Sequence, residues 1–350
     1  MADFIDIVDP KNKPGEEDEE GASEKEQKKG EGEGEEGGEG EGEGEEGRER
    51  RAEQLRWQQQ AQTMSDSEHD SWHRGVHEAS GVEVVKFLSS LRHPHLLPLL
   101  AYCNHPALRA LAFPLLPNAS LDLWLHAHHH HPGQERPPLT ITHRIRIAAD
   151  VADALCFLHG QTPPVAHRDV SSSTVLLSGE LRGHLGGLSL LKHVPGARMQ
   201  RRLSHRKGYI DPEYFQSFKL VKESDIYSFG VVLLELLSAL PPVVDGDVDA
   251  ATGQVQKILL AQYATPYLQS GDLDHLVDPL LSSPRDRLAA LAVIAQLCIS
   301  ASRFSRPTAA ELAEWLADLA ATPLESPLPD AVVRLIPAAF ADLCQIEATA

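Results

Sequence analysis

The residues with the clearest capacity for chemistry lie in the segment HRDVSSSTVLL, which runs from His167 to Leu177. Asp169 carries a carboxylate that could act as a general base. A helical stretch that ends at Gly160 precedes the segment, and the apolar run Val175–Leu177 closes it. The sequence therefore predicts that this aspartate lies in a loop between a helix and a buried apolar run.

A second group of potential ligands is the histidine-rich insertion HAHHHHPGQERPP, with His126 and His128 to His131. Imidazole nitrogens can bind transition metals, but neighbouring histidines in a Pro-Gly loop have no fixed geometry. We interpret the insertion as a solvated loop and predict no metal site. The cysteines are far apart in apolar contexts, which favours buried, reduced thiols; they are Cys103, Cys156, Cys298 and Cys344.

The charge of the chain is concentrated at its N-terminus. Residues 1–50 carry 20 acidic and 7 basic side chains, or −13 of the total formal charge of −19. Residues 11–50 are mostly Gly and Glu, with almost nothing to bury, so we expect residues 1–75 to form a disordered acidic and polar region. No basic stripe with interleaved aromatic residues is present, which argues against a nucleic-acid partner.

The sequence also argues against a membrane-spanning protein. The N-terminus, MADFIDIVDPKNK, lacks the basic and apolar regions of a signal peptide. The longest apolar run, Phe229 to Leu237, is interrupted by Glu235 and is far shorter than the roughly 20 residues that cross a bilayer. These features predict a cytoplasmic, soluble protein.

Folded character begins near Val76. Apolar residues recur at helical spacing up to Leu91, and Pro94 closes this segment. The runs Leu96–Tyr102 and Leu108–Leu116 then predict a hairpin of two strands. Ser120 has N-cap chemistry for a short helix that ends at Leu125.

The rest of the chain is predicted to be mainly helical. A largely buried helix begins at Thr142, and the segment DIYSFGVVLLELLSAL, apolar on all sides, belongs at the centre of a helical domain. Helical patterns continue over Val255–Leu268, Arg285–Ser300 and Ala309–Leu319. Residues 321–350 form a Pro-rich C-terminal tail with one short amphipathic piece.

Seven ordered segments of the chain resemble plant receptor-like serine/threonine protein kinases. They are LRHPHLLPLLAYC, LPNASLDLWLH, AHRDVSSSTVLL, KGYIDPEYF, KESDIYSFGVVLLELLSA, GDLDHLVDPLL and RFSRPTAAEL. The resemblance implies an α+β, protein kinase-like fold over residues 76–320. A partial N-lobe with a reduced sheet would occupy residues 76–117, and a mainly helical C-lobe residues 118–320.

The resemblance implies roles for several structural residues. Asp225 would accept backbone N–H groups of the His167-Arg168 turn and so hold the loop on the core. Glu213 would pair with Arg306, and such a buried pair is costly to break because the remaining partner becomes an unpaired buried charge. These roles stabilise the fold and require no catalysis.

The catalytic positions of the family depart from its pattern. Its DFG motif aligns with Leu185-Gly186-Gly187, so leucine replaces a magnesium-binding aspartate, and Thr174 replaces the loop asparagine. Ser171 replaces the loop lysine, and Val84 replaces the helix glutamate. No GxGxxG or VAIK-like lysine occurs between Arg51 and Val84.

Three interpretations follow. In the favoured one, the chain is a pseudokinase that needs no ATP or Mg²⁺ and binds protein partners, with receptor-like kinases as candidates, in the cytoplasm or at the plasma membrane through those partners. Asp169 would then be retained for loop geometry. In the second, Asp169 is the base of an active serine/threonine kinase, and ATP binds at the hinge formed by Phe113, Pro114 and Leu116. In the third, the chain is a decayed gene product.

Overall fold

The computed structural model describes residues 81–105, 108–126, 137–188, 191–193, 207–217, 221–248 and 255–337. The predicted disordered region 1–75, His128 to His131 and Cys344 lie outside the described residues. The fold is mainly helical, with four small antiparallel pairs of strands among the described residues.

The first part of the described chain contains a helix and a hairpin. Helix α1 spans Gly81–Ser90, and strands β1 (Ala101–His105) and β2 (Leu108–Ala112) pair in antiparallel register. The predicted strand Leu96–Tyr102 is wrong in its bounds, because Leu96 instead forms a parallel bridge with Leu185. The predicted strand Leu108–Leu116 is also too long, since its last four residues continue without regular structure.

Two helices follow. Helix α2 spans Leu121–Leu125, but the Ser120 side chain does not cap it, and the Ser120 backbone instead forms a bridge with Leu176. Helix α3 spans Ile141–His159, one residue earlier than the predicted start. Thr140 is its N-cap, because its hydroxyl oxygen accepts the N–H of His143 at 3.3 Å.

Two short pairs of strands hold the loop that contains Asp169. Strand β3 (Val165–Ala166) pairs with β6 (Lys192–His193), and β4 (Val175–Leu177) pairs with β5 (Gly183–Leu185). The loop from His167 to Thr174 therefore begins and ends at paired backbone. This arrangement restricts the loop at both of its ends.

The apolar segment forms helix α5 (Lys222–Ser238), which follows the short helix α4 (Pro212–Ser217). Every residue from Phe229 to Ser238 is buried, as expected for a helix that is apolar on all sides. Helix α5 packs closely on helix α7 (Arg285–Cys298), because a β-carbon at Gly230 would lie 2.6 Å from Cβ of Cys298. Glycine is required here by the close approach of the two helices.

One predicted helix is partly a strand. Strand β7 (Val243–Val248) pairs with β8 (Val255–Leu259), and helix α6 begins only at Leu260 and ends at Ser270. The prediction of a helix over Val255–Leu268 is therefore wrong for its first five residues. Their backbone pairs with β7, a long-range contact that the helical spacing did not reveal.

The C-terminal part of the described chain packs on the core. After a short 3₁₀ turn at Arg303–Ser305, helix α8 (Ala309–Ala321) lies along α3, with a capping box formed by Thr308 and Glu311. Helix α9 (Asp330–Val333) follows, with Val332 fully buried. Within the described part of the chain, no helix combines the length and the apolar character that crossing a membrane requires.

Candidate active site

Asp225, near the start of α5, holds the first turn of the loop. Its Oδ2 accepts the backbone N–H of His167 and its Oδ1 that of Arg168, both at 2.7 Å, and His159 Nε2 lies 2.9 Å from Oδ2. Burial alone would raise the pKa of Asp225, but these partners outweigh burial and lower the pKa. Arg168 has a φ of +75°, a left-handed conformation that the bonds to Asp225 stabilise.

His167 connects this turn to the glycine pair that follows β5. Its Nε2 lies 2.7 Å from the carbonyl oxygen of Gly186, and its Nδ1 accepts the N–H of Asp169 at 3.2 Å. Because Nδ1 accepts, the ring proton must lie on Nε2, where it is donated to Gly186. Burial lowers the pKa of His167, which favours this neutral form.

The hydroxyl of Thr174 is used inside the loop. Thr174 Oγ1 lies 2.8 Å from the carbonyl oxygen of Asp169, to which it can donate, and accepts the N–H of Ser171 at 3.1 Å. Ser171 is fully buried, and its own hydroxyl lies 3.1 Å from that of Thr174. Both residues therefore serve to close the loop.

Leu185 belongs to the core. It is fully buried, pairs with Val175 across the hairpin, donates its N–H to His95 O at 2.8 Å, and accepts that of Leu97 at 3.1 Å. Its side chain carries no oxygen atom. The position that the resemblance assigns to a metal-binding aspartate is therefore filled by an apolar side chain fixed on two sides by backbone pairing.

The Asp169 carboxylate lies beside the second glycine of this turn. Gly187 has a φ of +70°, and a β-carbon there would lie 3.4 Å from Asp169 Oδ2 and 2.8 Å from Thr174 Cγ2. Glycine is required at this position both for its left-handed conformation and for the close approach of Thr174. The structure thus brings together Asp169, Ser171, Thr174 and the turn after Leu185.

These residues do not fit a magnesium site of the kinase type. Mg²⁺ requires oxygen ligands in a near-octahedral arrangement. Leu185 offers none, and the Thr174 hydroxyl is occupied by backbone partners. Among the described side chains, no group of three or more His, Cys, Asp or Glu residues is arranged to hold a metal ion.

The other residues predicted for nucleotide chemistry belong to elements outside the loop. Val84 is in α1, but its side chain is outside the described part of the chain. Phe113, Pro114 and Leu116 follow β2 and are partly buried, and Phe113 packs against the core. His126, which we expected in a solvated loop, instead lies mostly buried at the end of α2, with its Nε2 3.5 Å from Glu235 Oε1.

The predicted pairing of Glu213 with Arg306 is wrong. Arg306 instead forms a bidentate pair with Asp211, with both N–O distances at 2.7 Å, and both side chains are buried. Asp211 precedes α4 and accepts the N–H of Glu213. The Asp211 side chain is buried, whereas that of Glu213 is partly exposed. Glu213 accepts the backbone N–H of Arg303 and lies 3.4 Å from its Nε.

A buried polar network behind the loop is not indicated by the resemblance. Glu235, fully buried in α5, accepts the hydroxyls of Ser172 at 2.8 Å and Tyr209 at 2.7 Å. Burial raises the pKa of Glu235 to about 8, although both hydrogen bonds oppose the rise. The one available signal in the sequence is a single glutamate within an otherwise apolar run.

Comparison with known proteins identifies the family of the chain. The family model described as protein tyrosine and serine/threonine kinase matches residues 68–316. The chain therefore belongs to this protein kinase family, and the predicted kinase-like α+β fold is confirmed.

Individual relatives are plant kinases. PTI1-like tyrosine-protein kinases 1 and 2 of Arabidopsis thaliana are 35% and 37% identical over 70% and 64% of this chain. An EPD1-interacting receptor-like cytoplasmic serine/threonine-protein kinase of Nicotiana benthamiana is 32% identical over 69% of it. The matches cover 68%, 61% and 50% of these relatives, so the chain spans only part of their length.

Proposed function

We propose that this chain is a catalytically impaired member of the kinase family that binds protein partners in receptor-kinase signalling. The observation that carries the proposal is the buried leucine at position 185, where the family's magnesium-binding aspartate belongs. Phosphoryl transfer in protein kinases depends on two Mg²⁺ ions, held by that aspartate and by the loop asparagine. Here both ligand positions lack the required side chain.

The loop chemistry supports the same proposal. Thr174 takes the asparagine position, and its hydroxyl closes the loop by bonding Asp169 and Ser171. Ser171 takes the position of the lysine, so no positive charge faces a phosphate from there. Asp169 then has a structural role in a loop whose anchors, Asp225 and His167, stabilise the C-lobe.

The proposed partners are protein kinases of the receptor-like class. The proposed location is the cytoplasm, and a receptor-like partner would recruit the chain to the plasma membrane. One relative is named as an EPD1-interacting receptor-like cytoplasmic kinase, which supports a protein partner and a cytoplasmic location. Mixing the full chain with a purified receptor-like kinase domain and measuring the mass of the eluted species by light scattering tests this part. We expect a stable complex, and two separate monomers would contradict it.

The second candidate function is an active kinase with an atypical site. It is favoured by one observation: the carboxylate of Asp169 lies beside Gly187, in the turn that follows β5. This candidate predicts Mg²⁺-dependent transfer of labelled phosphate from ATP that disappears in Asp169→Asn.

Two measurements separate the candidates. In the first, wild-type chain and Asp169→Asn are incubated with labelled ATP and Mg²⁺ beside an active kinase domain as positive control. We expect both to incorporate equally little label, and incorporation by wild type alone would overturn the proposal. In the second, ATP is added with and without Mg²⁺ during a thermal melt, and we expect no metal-dependent rise in Tm.

A further inference from the structure

One arginine ties the connection between helices α8 and α9 to helix α7. This connection, residues 322–329, has no regular helix or strand. Within it, Ser326 donates its N–H to the carbonyl oxygen of Pro323 at 3.1 Å and so closes a turn. The carbonyl oxygens of both residues accept hydrogen bonds from Nη2 of Arg287, each at 2.7 Å. The side chain of Arg287 therefore holds this turn on α7.

The guanidinium of Arg287 has more donors than partners. The residue is fully buried, yet its Nε and Nη1 have no hydrogen-bond partner among the described residues. The neighbouring carboxylate of Asp286 accepts the backbone N–H of Arg287 at 2.8 Å. Buried donors are almost always paired, and a buried charge without an anionic partner is unfavourable. The site therefore offers two donors and a positive charge to an anion.

The hydroxyl of Ser326 is well placed to carry such an anion. The carbonyl oxygen of Ser326 already contacts the guanidinium, and only the carbonyl carbon, Cα and Cβ separate this oxygen from Oγ. Ser326 is half-buried, and its neighbours Glu325 and Pro327 are exposed. The hydroxyl of Thr322, which precedes the turn, is used differently, because it donates to the carbonyl oxygen of Asp318 at 2.7 Å.

The residue that follows Ser326 indicates the class of enzyme that could modify it. Proline-directed protein kinases accept a serine or threonine that directly precedes proline, and Pro327 occupies this position. Proline also favours extended backbone at the residue before it. Four other hydroxyl residues precede proline in the chain, and Ser326 differs from them in that its own carbonyl oxygen is bonded to Arg287. These four are Thr162, Thr265, Ser283 and Thr322.

We propose that Ser326 is a phosphorylation site for a proline-directed kinase and that its phosphate pairs with Arg287. Oγ of Ser326 forms a bond to the γ-phosphorus of ATP while the bond from this phosphorus to the β–γ bridging oxygen breaks. ADP leaves, and the hydroxyl proton passes to a base of the modifying kinase. Since that kinase supplies both ATP and catalysis, the inference is independent of whether this chain transfers phosphate itself.

The phosphate strengthens the attachment of the connection to α7. Its oxygens are acceptors for Nε and Nη1 of Arg287, and hydrogen bonds between two charged groups are stronger than those to neutral carbonyl oxygens. Leu328 and Val332, which follow the turn, are buried in the core. Phosphorylation therefore fixes the C-terminal part of the described chain more firmly, whereas the unmodified turn opens more readily to the modifying kinase.

Phosphorylation of the full chain in vitro tests the acceptor. The chain is incubated with ATP and a purified proline-directed kinase, and the modified residues are mapped by mass spectrometry. We expect phosphate on Ser326 in wild type and its loss in Pro327→Ala. If Ser326 stays unmodified while a reference substrate in the same tube is phosphorylated, the proposal is wrong.

A ³¹P NMR titration of the phosphorylated full chain tests the pairing. A solvated phosphoserine loses its second proton with a pKa of about 6, and a guanidinium partner lowers this pKa because it favours the dianion. We expect a lower pKa in the folded chain than in the same chain unfolded in urea, together with a rise in Tm of several degrees on phosphorylation. The Ser326 resonance is assigned by its absence in Ser326→Ala. Equal pKa values in the two states would overturn the pairing.

Two matched variants assign the effect to one arginine. Arg287→Met and Arg285→Met each remove a guanidinium from the first turn of α7, but Arg285 is exposed and pairs with Asp274. We expect the pKa difference and the rise in Tm to disappear in Arg287→Met and to remain in Arg285→Met. Their persistence in Arg287→Met would contradict the assignment. If this variant does not fold, the comparison of folded and unfolded wild type decides the matter.

Discussion

Leu97 fills the space beside Gly186, so that a β-carbon at position 186 would lie 2.9 Å from Leu97 Cδ1 and 3.3 Å from the carbonyl oxygen of Thr174. In the kinase motif that aligns here, the second residue is phenylalanine. A side chain of that size has no room while Leu97, which is itself buried, keeps its position. A phenylalanine at position 186 would therefore require Leu97 to move.

Gly186→Ala should overpack this contact. We expect a loss of about 1–3 kcal/mol in the free energy of unfolding, because extra atoms in a packed core displace their neighbours. Denaturant unfolding measures the change, with Gly179→Ala as the matched control, since a β-carbon there meets only Pro117 Cγ at 3.7 Å. Adding Leu97→Val to Gly186→Ala should recover part of the loss, and strict additivity of the two changes would argue against the contact.

Asp211→Asn and Glu213→Gln should differ widely in their effect on stability. Asp211 forms the buried bidentate pair with Arg306. Because Asp211→Asn leaves the buried guanidinium of Arg306 without its carboxylate partner, the substitution should cost about 3–5 kcal/mol of stability. Glu213 and Arg303 are partly exposed, and the loss of such an ion pair costs about 1 kcal/mol or less. Chemical denaturation measures both losses of stability. Equal losses in the two variants would contradict the assignment of Asp211 as the buried partner of Arg306.

Glu235→Gln should flatten the pH dependence of stability. The folded chain keeps the Glu235 proton up to a pKa of about 8, whereas the unfolded chain releases it near 4.5. The free energy of unfolding should therefore fall as the pH rises between these values, by up to about 1.4 kcal/mol per pH unit. Thermal melts at pH 5, 6, 7 and 8 should show this decline in wild type and in the exposed control Glu314→Gln, but much less of it in Glu235→Gln.

Asp225→Asn should loosen the loop that contains Asp169. Asparagine retains one oxygen for the N–H groups of His167 and Arg168, and its amide group would face a second donor. We expect a loss of several kcal/mol in stability together with faster hydrogen exchange at the amides of His167 and Arg168. Exchange that stays as slow as in wild type would show that Asp225 does not hold the turn.

Some features of the site could be predicted from sequence because they depend on residue identity or on strong local patterns. Leucine at position 185 cannot ligate a metal in any fold. The apolar run from Phe229 to Leu237 is long enough to form a buried helix at the centre of a helical domain. The anchoring of the His167-Arg168 turn by Asp225 followed from the ordered segments that resemble the kinase family, and both hydrogen bonds are present.

Other features depend on which side chains from distant parts of the chain meet. Asp211 and Glu213 are separated by one residue, and only the direction of the chain entering α4 decides which carboxylate faces Arg306. The strand β8 forms because β7 supplies a partner for its backbone, against the helical spacing of its own residues.

The sequence by itself therefore determined the kinase class of the chain and predicted the replacement of its metal-binding side chains, since both depend on the order of the residues. The tertiary structure alone decided that Leu97 fills the space beside Gly186, that Glu235 joins Ser172 and Tyr209, and that Arg287 donates to the carbonyl oxygen of Ser326. Most of these contacts join elements that are far apart in the chain, and their geometry arises only when the elements pack against one another.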